Sequence, residues 1–328
     1  MRIAVTGSVA TDHLTVFPGR FADQLIPGQL AHVSLSFLVD RLDIRRGGVA
    51  ANIAYGLGRL GLRPMLVGAV GGDFAEYEVW LKEHGVDTAG VLVSAERHTA
   101  RFMCTTDADG NQIAAFHAGA MSEAAGIDLT RLPLRPDELG LVVVGANDPA
   151  AMVRHTRQCR ERGIPFAADP SQQLARLDGA DTRALLDGAR WLFSNEYEAA
   201  LLQERTGWDD AEVLRRVGAW VTTLGADGVR IRRAADGLDV TVPAIPAVPV
   251  TDPTGVGDAF RAGFLASAEW GLPLITAARL GCALAALSLA AVGPQTYQPG
   301  RRILLDHLAR AYGAEAAREL APYLEGVR

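Results

Sequence analysis

The sequence is poor in the residues that mark several classes of protein. It has three cysteines in 328 residues, Cys104, Cys159 and Cys282, and their wide spacing favours neither a disulfide framework nor a zinc site. We expect them to be buried thiols in a reducing cytoplasm. Lys82 is the only lysine, and Glu83 follows it where a Walker A loop needs Ser or Thr. A Walker A phosphate-binding loop is therefore excluded.

Long runs of basic or of apolar residues are also missing. The formal net charge is −6, and a surface that binds a nucleic-acid backbone must be basic, so nucleic acid is not an expected partner. The longest apolar stretch, residues 277–292, contains Arg279 and is shorter than the roughly 20 residues of a membrane span. The chain begins without the charged and then apolar leader of a secreted protein. We expect a soluble, cytoplasmic protein without a membrane partner.

What the sequence does have is an alternation of compact apolar runs with amphipathic segments, which is typical of a parallel sheet covered by helices. Strands are predicted at residues 3–5, 65–70, 141–144, 166–168, 191–193 and 220–224. Helices are predicted at residues 48–60, 75–83, 149–162, 182–186, 196–206, 259–270 and 277–292. The economical fold is α/β, with a doubly wound, mostly parallel sheet flanked by helices.

Four short segments do not fit this order of strands and helices. Their apolar and polar residues alternate as in strands, and no helix lies between the first two or between the last two. They are residues 32–37, 42–45, 99–105 and 112–117, and the last two are joined by the turn-rich residues 107–111. We expect them to form a small β lid over the carboxyl ends of the main sheet, where ligands bind in such folds. The large α/β domain is then predicted at residues 1–12, 47–97 and 120–328, and the lid at residues 13–46 and 98–119.

Residues 252–260, Asp-Pro-Thr-Gly-Val-Gly-Asp-Ala-Phe, carry the strongest chemical signal. Gly255 and Gly257 lack Cβ atoms, so consecutive N–H groups, including that of Val256, can converge on an anion at a helix start. Asp258 follows at once, and a carboxylate there is placed to take a proton from a hydroxyl that attacks the anion. The pattern favours phosphoryl transfer to an alcohol. A Gly-rich turn with Asp258 as a helix cap is the alternative.

A second pair of glycines, Gly47 and Gly48, opens an earlier helix. Such a pair lets a substrate approach the backbone, and Asn52, one turn further on, offers a donor and an acceptor to a polyol. Asp12, shortly after the first strand, can accept hydrogen bonds from two vicinal hydroxyls. Residues 56–61 match G-x-G-x-x-G, but they end a helix and precede a strand, which is the reverse of a dinucleotide-binding motif. We predict that these glycines terminate the helix.

Residues 46–52 and 252–260 together resemble the two-part signature of the ribokinase-like (PfkB) carbohydrate kinases, and the resemblance covers essentially the whole chain. It implies a ribokinase-like fold. Residues 6–13, 169–176 and 252–258 are more specific, since they closely resemble actinobacterial adenosine kinases.

The resemblance implies roles for individual residues around the acceptor. Asp12, Gly48 and Asn52 would hold the ribose hydroxyls, Asp258 would deprotonate the 5′-hydroxyl, and the amides from Gly255 to Gly257 would stabilise the moving phosphoryl group. Phe102 and Phe116 would clasp the adenine, and they fall on the two strands of the proposed hairpin. Both rings could instead belong to the lid core. Further polar contacts to the nucleoside would come from Ser8, Gln172 and Gln173. Met121 and Arg176 are further candidates to line the site, although a Met after a strand is more often a core residue and a surface Arg is usually solvated.

The resemblance also implies where the phosphate donor binds. Thr223 and Gly225 match the nucleotide loop for ATP, and Asn195 with Glu198 matches an N-x-x-E element tied to Mg²⁺. A helix N-cap at Asn195 would explain that residue without chemistry. Asp252 and Thr254 match positions that surround a monovalent cation in several relatives, and the use of K⁺ stays open.

The sequence therefore predicts an adenosine kinase of purine salvage, with Mg²⁺ and ATP as co-substrate. Two alternatives remain: a PfkB-type sugar kinase acting on ribose or a fructose-like acceptor, and a non-catalytic ligand-binding relative. Loss of Asp258 or of the glycine pair would mark the latter, and both are present. We also expect a homodimer formed through the lids, with Ser36 reaching the partner's nucleoside site.

Overall fold

The computed structural model describes residues 1–26, 28, 32, 35–135, 138–246 and 248–327. Its strands are β1 Arg2–Thr6, β2 Ala10–Val16, β3 Arg41–Gly47, β4 Met65–Val70, β5 Asp87–Val93, β6 Ala100–Thr106, β7 Gln112–His117, β8 Leu139–Val144, β9 Phe166–Ala168, β10 Trp191–Asn195, β11 Ala219–Thr223, β12 Val229–Arg233 and β13 Leu238–Val242. Its helices are α1 Phe21–Gln24, α2 Val49–Arg59, α3 Ala75–Glu83, α4 Pro149–Glu161, α5 Gly179–Leu186, α6 Glu196–Thr206, α7 Asp210–Arg216, α8 Val256–Glu269, α9 Leu274–Leu289, α10 Arg301–Tyr312 and α11 Ala314–Leu320.

Nine strands form the main sheet, in the order β13-β12-β11-β10-β9-β8-β1-β4-β5. The strands from β11 to β5 are parallel, and β12 and β13 add an antiparallel edge. Buried side chains of α2, α8 and α9 pack on one face of this sheet, and those of α4, α5 and α6 pack on the other. Helices on both faces explain why the parallel strands are continuously apolar. The predicted doubly wound α/β fold is confirmed.

The lid is a separate sheet of four strands in the order β3-β2-β6-β7. The predicted hairpin of β6 and β7 is confirmed, but the strand predicted at residues 32–37 is wrong for its described part. Residues 35–37 lie in no strand, and residues 33 and 34 are outside the described residues. Phe37 packs instead on Phe17, with ring centroids 4.7 Å apart. The fourth lid strand is β2, which pairs with both β3 and β6.

The elements bring the ends of several parallel strands to one edge of the main sheet. Short connections leave β1, β9, β10 and β11 there, and the lid strand β2 follows β1 after three residues, Gly7 to Val9. The lid is therefore attached beside the carboxyl edge, where an α/β sheet binds its ligands. Over the described part of the chain, no helix has the length and apolar character needed to cross a membrane.

Candidate active site

Helix α8 begins with the backbone geometry that an anion site needs. Its N-cap Gly255 has φ 76°, a left-handed conformation that favours glycine. A Cβ atom on Gly255 would lie 2.3 Å from Cβ of Pro294, so the loop also leaves no room for a side chain. The N–H groups of the first helical turn lack intrahelical acceptors and carry the positive end of the helix dipole. They can bind a phosphoryl oxygen.

Asp258 stands in this first turn and accepts a hydrogen bond of 2.8 Å from the Asn52 side-chain amide. Burial raises the pKa of Asp258 to about 7, and the carboxylates of Asp169 and Glu198 add to the rise. The hydrogen bond from Asn52 and the charge of Arg261 act in the opposite direction. A carboxyl group with a pKa near neutrality suits a general base.

The orientation of Asn52 is fixed by residues that the sequence did not single out. Gln295 Nε2 donates to Asn52 Oδ1 at 2.9 Å, so the Asn52 amide nitrogen is left to donate to Asp258. Gln295 also donates to the hydroxyl of Tyr77, which in turn donates to the carbonyl of Gly47 at 2.9 Å. This chain of hydrogen bonds joins the two glycine-rich segments across the site.

Asp12 lies against the first of these segments. A Cβ atom on Gly47 would lie 2.9 Å from Asp12 Oδ2, and one on Gly48, where φ is 97°, would lie 2.5 Å from the Ser8 carbonyl oxygen. Ser8 Oγ accepts from the amide of Val49 at 3.0 Å and thereby caps the start of α2. Burial raises the pKa of Asp12 to about 6. The predicted substrate residues Ser8, Asp12 and Gly48 are thus neighbours.

Four lid residues form a row across the sheet at one level. Register pairs Arg45 on β3 with Asp12 on β2, Asp12 with Phe102 on β6, and Phe102 with Phe116 on β7. Paired residues of neighbouring strands share a face. This face is turned to the catalytic loop, because Arg45 Nη1 donates to Asp252 Oδ2 at 2.7 Å. Phe116 is 50% exposed, so its ring can contact a ligand.

A pocket of about 620 Å³ lies at the carboxyl edge beside Asp258. It brings together most of the predicted phosphate-donor and catalytic residues, namely Asn195, Glu198, Thr223, Gly225, Gly255, Gly257 and Asp258. Gln172, which was predicted to contact the nucleoside, lines the same pocket. Among the lining residues that sequence reasoning missed is Arg261, which forms an ion pair with Asp169. We call this cavity the phosphate pocket.

An apolar pocket of about 560 Å³ adjoins it and shares Thr223, Gly225 and Gly257 with it. Its walls include Ile245 and Phe260. The sequence did not locate a slot for the base of a nucleotide. The apolar segment after β13, which contributes Ile245 to this pocket, is the sequence feature that could have located it.

Asn195 and Glu198 form a capping box at the start of α6. Asn195 Oδ1 accepts from the amide of Glu198 at 2.7 Å, and Glu198 Oε2 accepts from the amide of Asn195 at 2.8 Å. No group of three metal-binding His, Cys, Asp or Glu residues occurs in the described ranges. Glu198 fits an outer contact to a Mg²⁺ ion that arrives bound to the nucleotide, since its Oε1 has only a 3.3 Å contact with Ser171 Oγ.

The carboxylate of Asp252 does not fit a monovalent cation. Asp252 Oδ2 accepts from Arg45 Nη1 at 2.7 Å and from the Gly293 amide at 3.0 Å, while Oδ1 accepts from the Thr254 amide at 2.9 Å. A guanidinium group already neutralises the charge that would attract the cation.

The remaining predicted residues lie at different depths. Gln173 is buried, and its Oε1 has no hydrogen-bond partner in the described structure. Met121 is buried in a small cluster with Ala10 and Ala100 at the base of the lid. Arg176 and Ser36 are exposed. Neither of the two lines the described part of the phosphate pocket.

The chain is similar along most of its length to known kinases. The profile of the pfkB family carbohydrate kinases matches residues 7–300. The structure of Burkholderia thailandensis nucleoside kinase in complex with inosine has a TM-score of 0.82 and 37% identity, covering 95% of this chain and 98% of that chain. Its complex with ADP-inosine has a TM-score of 0.81 and 38% identity, with 95% and 96% covered. The nucleoside kinase of Methanothermobacter thermautotrophicus is 31% identical over 284 residues, 85% of this chain and 90% of that protein.

Proposed function

The chain belongs to the PfkB family of carbohydrate kinases, and we propose that it is an ATP-dependent adenosine kinase that produces AMP and ADP for purine salvage. The chain is similar to nucleoside kinases over 85% to 95% of its length, and this similarity supports a nucleoside as the acceptor. The similar Burkholderia protein was solved with inosine, so inosine is the second candidate acceptor.

The row from Asp12 to Phe116 is the observation that carries the choice of a nucleoside over a free sugar. Asp12 offers a carboxylate to ribose hydroxyls, and the aromatic residues Phe102 and Phe116 continue the row at the distance of one and two strands. Strands in a sheet are about 4.8 Å apart, so this row has the dimensions of a ribose followed by a base. A free sugar would leave the aromatic part unused.

In the proposed reaction, Asp258 takes the proton of the 5′-hydroxyl while the oxygen forms a bond to the γ-phosphorus of ATP. The bond between the γ-phosphorus and the bridging oxygen breaks, and ADP leaves with that oxygen. First-turn amides of α8 stabilise the charge on the transferred group. A Mg²⁺ ion contacted by Glu198 would neutralise phosphate charge when ATP is bound, and the apolar pocket beside Phe260 would take the base of the nucleotide.

The proposal includes a cytoplasmic homodimer formed by the outer faces of the lids. Ile44 and Met103 flank His13 in the register, and Leu42 and Ile113 lie two residues away on the same face, opposite to the face of Asp12. All four side chains are exposed. A second copy would cover this apolar face, and the proposal keeps its Ser36 as a residue that reaches the nucleoside site from the partner.

The test is to measure ATP consumption by the wild-type enzyme with adenosine, inosine, other nucleosides, ribose and fructose. We expect adenosine to give the highest kcat/KM. A preference for a free sugar would contradict the proposed acceptor, and a lack of turnover with every acceptor would contradict the proposed reaction.

A further inference from the structure

The phosphate pocket contains an arginine whose charge the reaction scheme above does not use. Arg261 lies on α8 one turn after Asp258, and its side chain is 7% exposed. Its guanidinium group contacts the buried Asp169 twice, with Nε 2.6 Å from Oδ2 and Nη2 donating to Oδ1 at 2.6 Å. The group also lies over the ring of Phe193, 5.6 Å from the centroid. Two contacts and a ring fix the plane of the guanidinium group.

The third nitrogen, Nη1, is differently placed. It has no acceptor among the described residues, whereas Nη2 donates to Asp169 and Nε lies in ion-pair contact with Asp169 without a hydrogen bond. It lies beside the anion loop, since a Cβ atom on Gly257 would be only 2.8 Å from it. Any side chain at position 257 would therefore displace Nη1. The backbone of Gly257 is helical and does not itself require glycine, so the close approach of Nη1 is the reason for a glycine at this position.

The charged side chains that line the phosphate pocket are mostly negative. Carboxylates of Glu196, Glu198 and Asp258 line the described part of the pocket, and Arg261 is the one cationic side chain there. A triphosphate adds several negative charges to this site. Burying an ion pair is costly, and replacing one by apolar residues often costs no stability. A purely structural role would not require a cation at this place.

We propose that Arg261 is a catalytic residue, whose Nη1 donates a hydrogen bond to an oxygen of the phosphoryl group during its transfer. This inference rests on the proposed kinase function. Asp169 is then a positioning residue, because it holds Nε and Nη2 so that Nη1 remains directed at the pocket. No bond to Arg261 forms or breaks, and its role is to stabilise the charge that develops on the transferred group.

The decisive experiment compares single and double substitutions that separate catalysis from stability. Arg261→Met alone leaves Asp169 as a buried, unpaired charge and should lower both Tm and kcat. The double variant Arg261→Met with Asp169→Leu removes both charges and should recover most of the Tm. We expect its kcat to stay about 10²-fold or more below that of the wild type, with the nucleoside KM little changed, because one transition-state donor is missing. A double variant with recovered Tm and wild-type kcat would overturn the assignment.

A second variant keeps the test open if the double variant does not fold. Arg261→Lys retains a positive charge near Asp169 but has no nitrogen to replace Nη1. We expect ADP to bind this variant as it binds the wild type, and ADP with aluminium fluoride and nucleoside to bind more weakly. Equal affinity for the aluminium fluoride complex would reject the role.

Both variants are assayed with the acceptor that the wild type phosphorylates fastest. A wrong acceptor in the proposed function then leaves this result unaffected, and an inactive wild type is recognised before any variant is measured.

Discussion

Asn52 Nδ2 lies 2.8 Å from Asp258 Oδ2, which joins the two glycine-rich segments of the chain into one site. The hydrogen bond is donated to the charged form of the carboxyl group, and it therefore favours the deprotonated base. Gln295 holds the Asn52 amide in the orientation that makes this possible. The proposed base and the amide that contacts it therefore come from segments 206 positions apart in the sequence.

Replacing the base should abolish most turnover without abolishing binding. We expect Asp258→Asn to lower kcat by at least about 10²-fold, the lower range for loss of a general base. The nucleoside should still bind, because Asp12 and the lid are unchanged, and calorimetry can measure its affinity. Near-normal turnover of the purified variant would show that Asp258 is not the base.

The pH dependence of kcat/KM should report the unusual pKa of Asp258. The base works only when deprotonated, and its pKa is raised from an ordinary value of 3.8 to about 7, so activity should rise as the pH increases through about 7. Asn52→Ala removes a hydrogen bond that lowers this pKa, and the rise should move to higher pH.

A second carboxyl group titrates close to this range, since the pKa of Asp12 is raised to about 6. In Asp12→Asn, the pH profile of kcat/KM should show only the titration of Asp258, and the KM for the nucleoside should rise. A profile of wild-type kcat/KM that is flat from pH 5 to pH 9, a window of about two units on each side of the expected pKa, would contradict the assignment.

Turnover should not depend on K⁺. Arg45 already supplies a positive charge to Asp252, and both carboxylate oxygens accept N–H donors. Exchanging KCl for NaCl or tetramethylammonium chloride at constant ionic strength should leave kcat unchanged. Arg45→Met exposes the carboxylate, and this variant is expected to gain activity when K⁺ is added. Strong activation of the wild type by K⁺ would show that a cation displaces Arg45.

The lid face predicts the oligomeric state. Ile44 is 61% exposed on the outer face, and Ile44→Asp would place a charge in the proposed interface. Light scattering at micromolar concentration should give a dimer for the wild type and a monomer for this variant. As a matched control, Val79→Asp on α3 changes an equally apolar, 56% exposed residue outside the lid and should remain dimeric. A monomeric wild type would reject the interface.

Sequence reasoning located the parts of the site that depend on local chemistry. Gly255 and Asp258 are three positions apart at the start of α8, and the need for left-handed backbone followed by a helix is visible in the residues themselves. The contact between Arg261 and Asp169 joins residues 92 positions apart, so only tertiary packing reveals it. Gln295 was missed for the same reason.

The lid shows a similar limit. The alternation of residues 99–105 and 112–117, with a turn-rich segment between them, predicted the hairpin that β6 and β7 form. No strand was predicted at residues 10–16, although residues 13–16 fell within the predicted lid, because only three residues separate β2 from β1. Which sheet a strand joins depends on its partners, and the pattern of a single strand does not contain them.

The central claim, that the lid row binds a nucleoside, is tested most directly by the effect of Phe102→Ala on two acceptors. We expect kcat/KM for adenosine to fall by an amount equivalent to roughly 1 to 3 kcal/mol, the range for loss of stacking on a base. Activity on ribose, which has no base, should remain nearly the same. Val79→Ala changes an exposed residue of α3 outside the lid and serves as the control, with both activities retained. An equal fall of the adenosine and ribose activities in Phe102→Ala would contradict the account, because it would make Phe102 a part of the lid core.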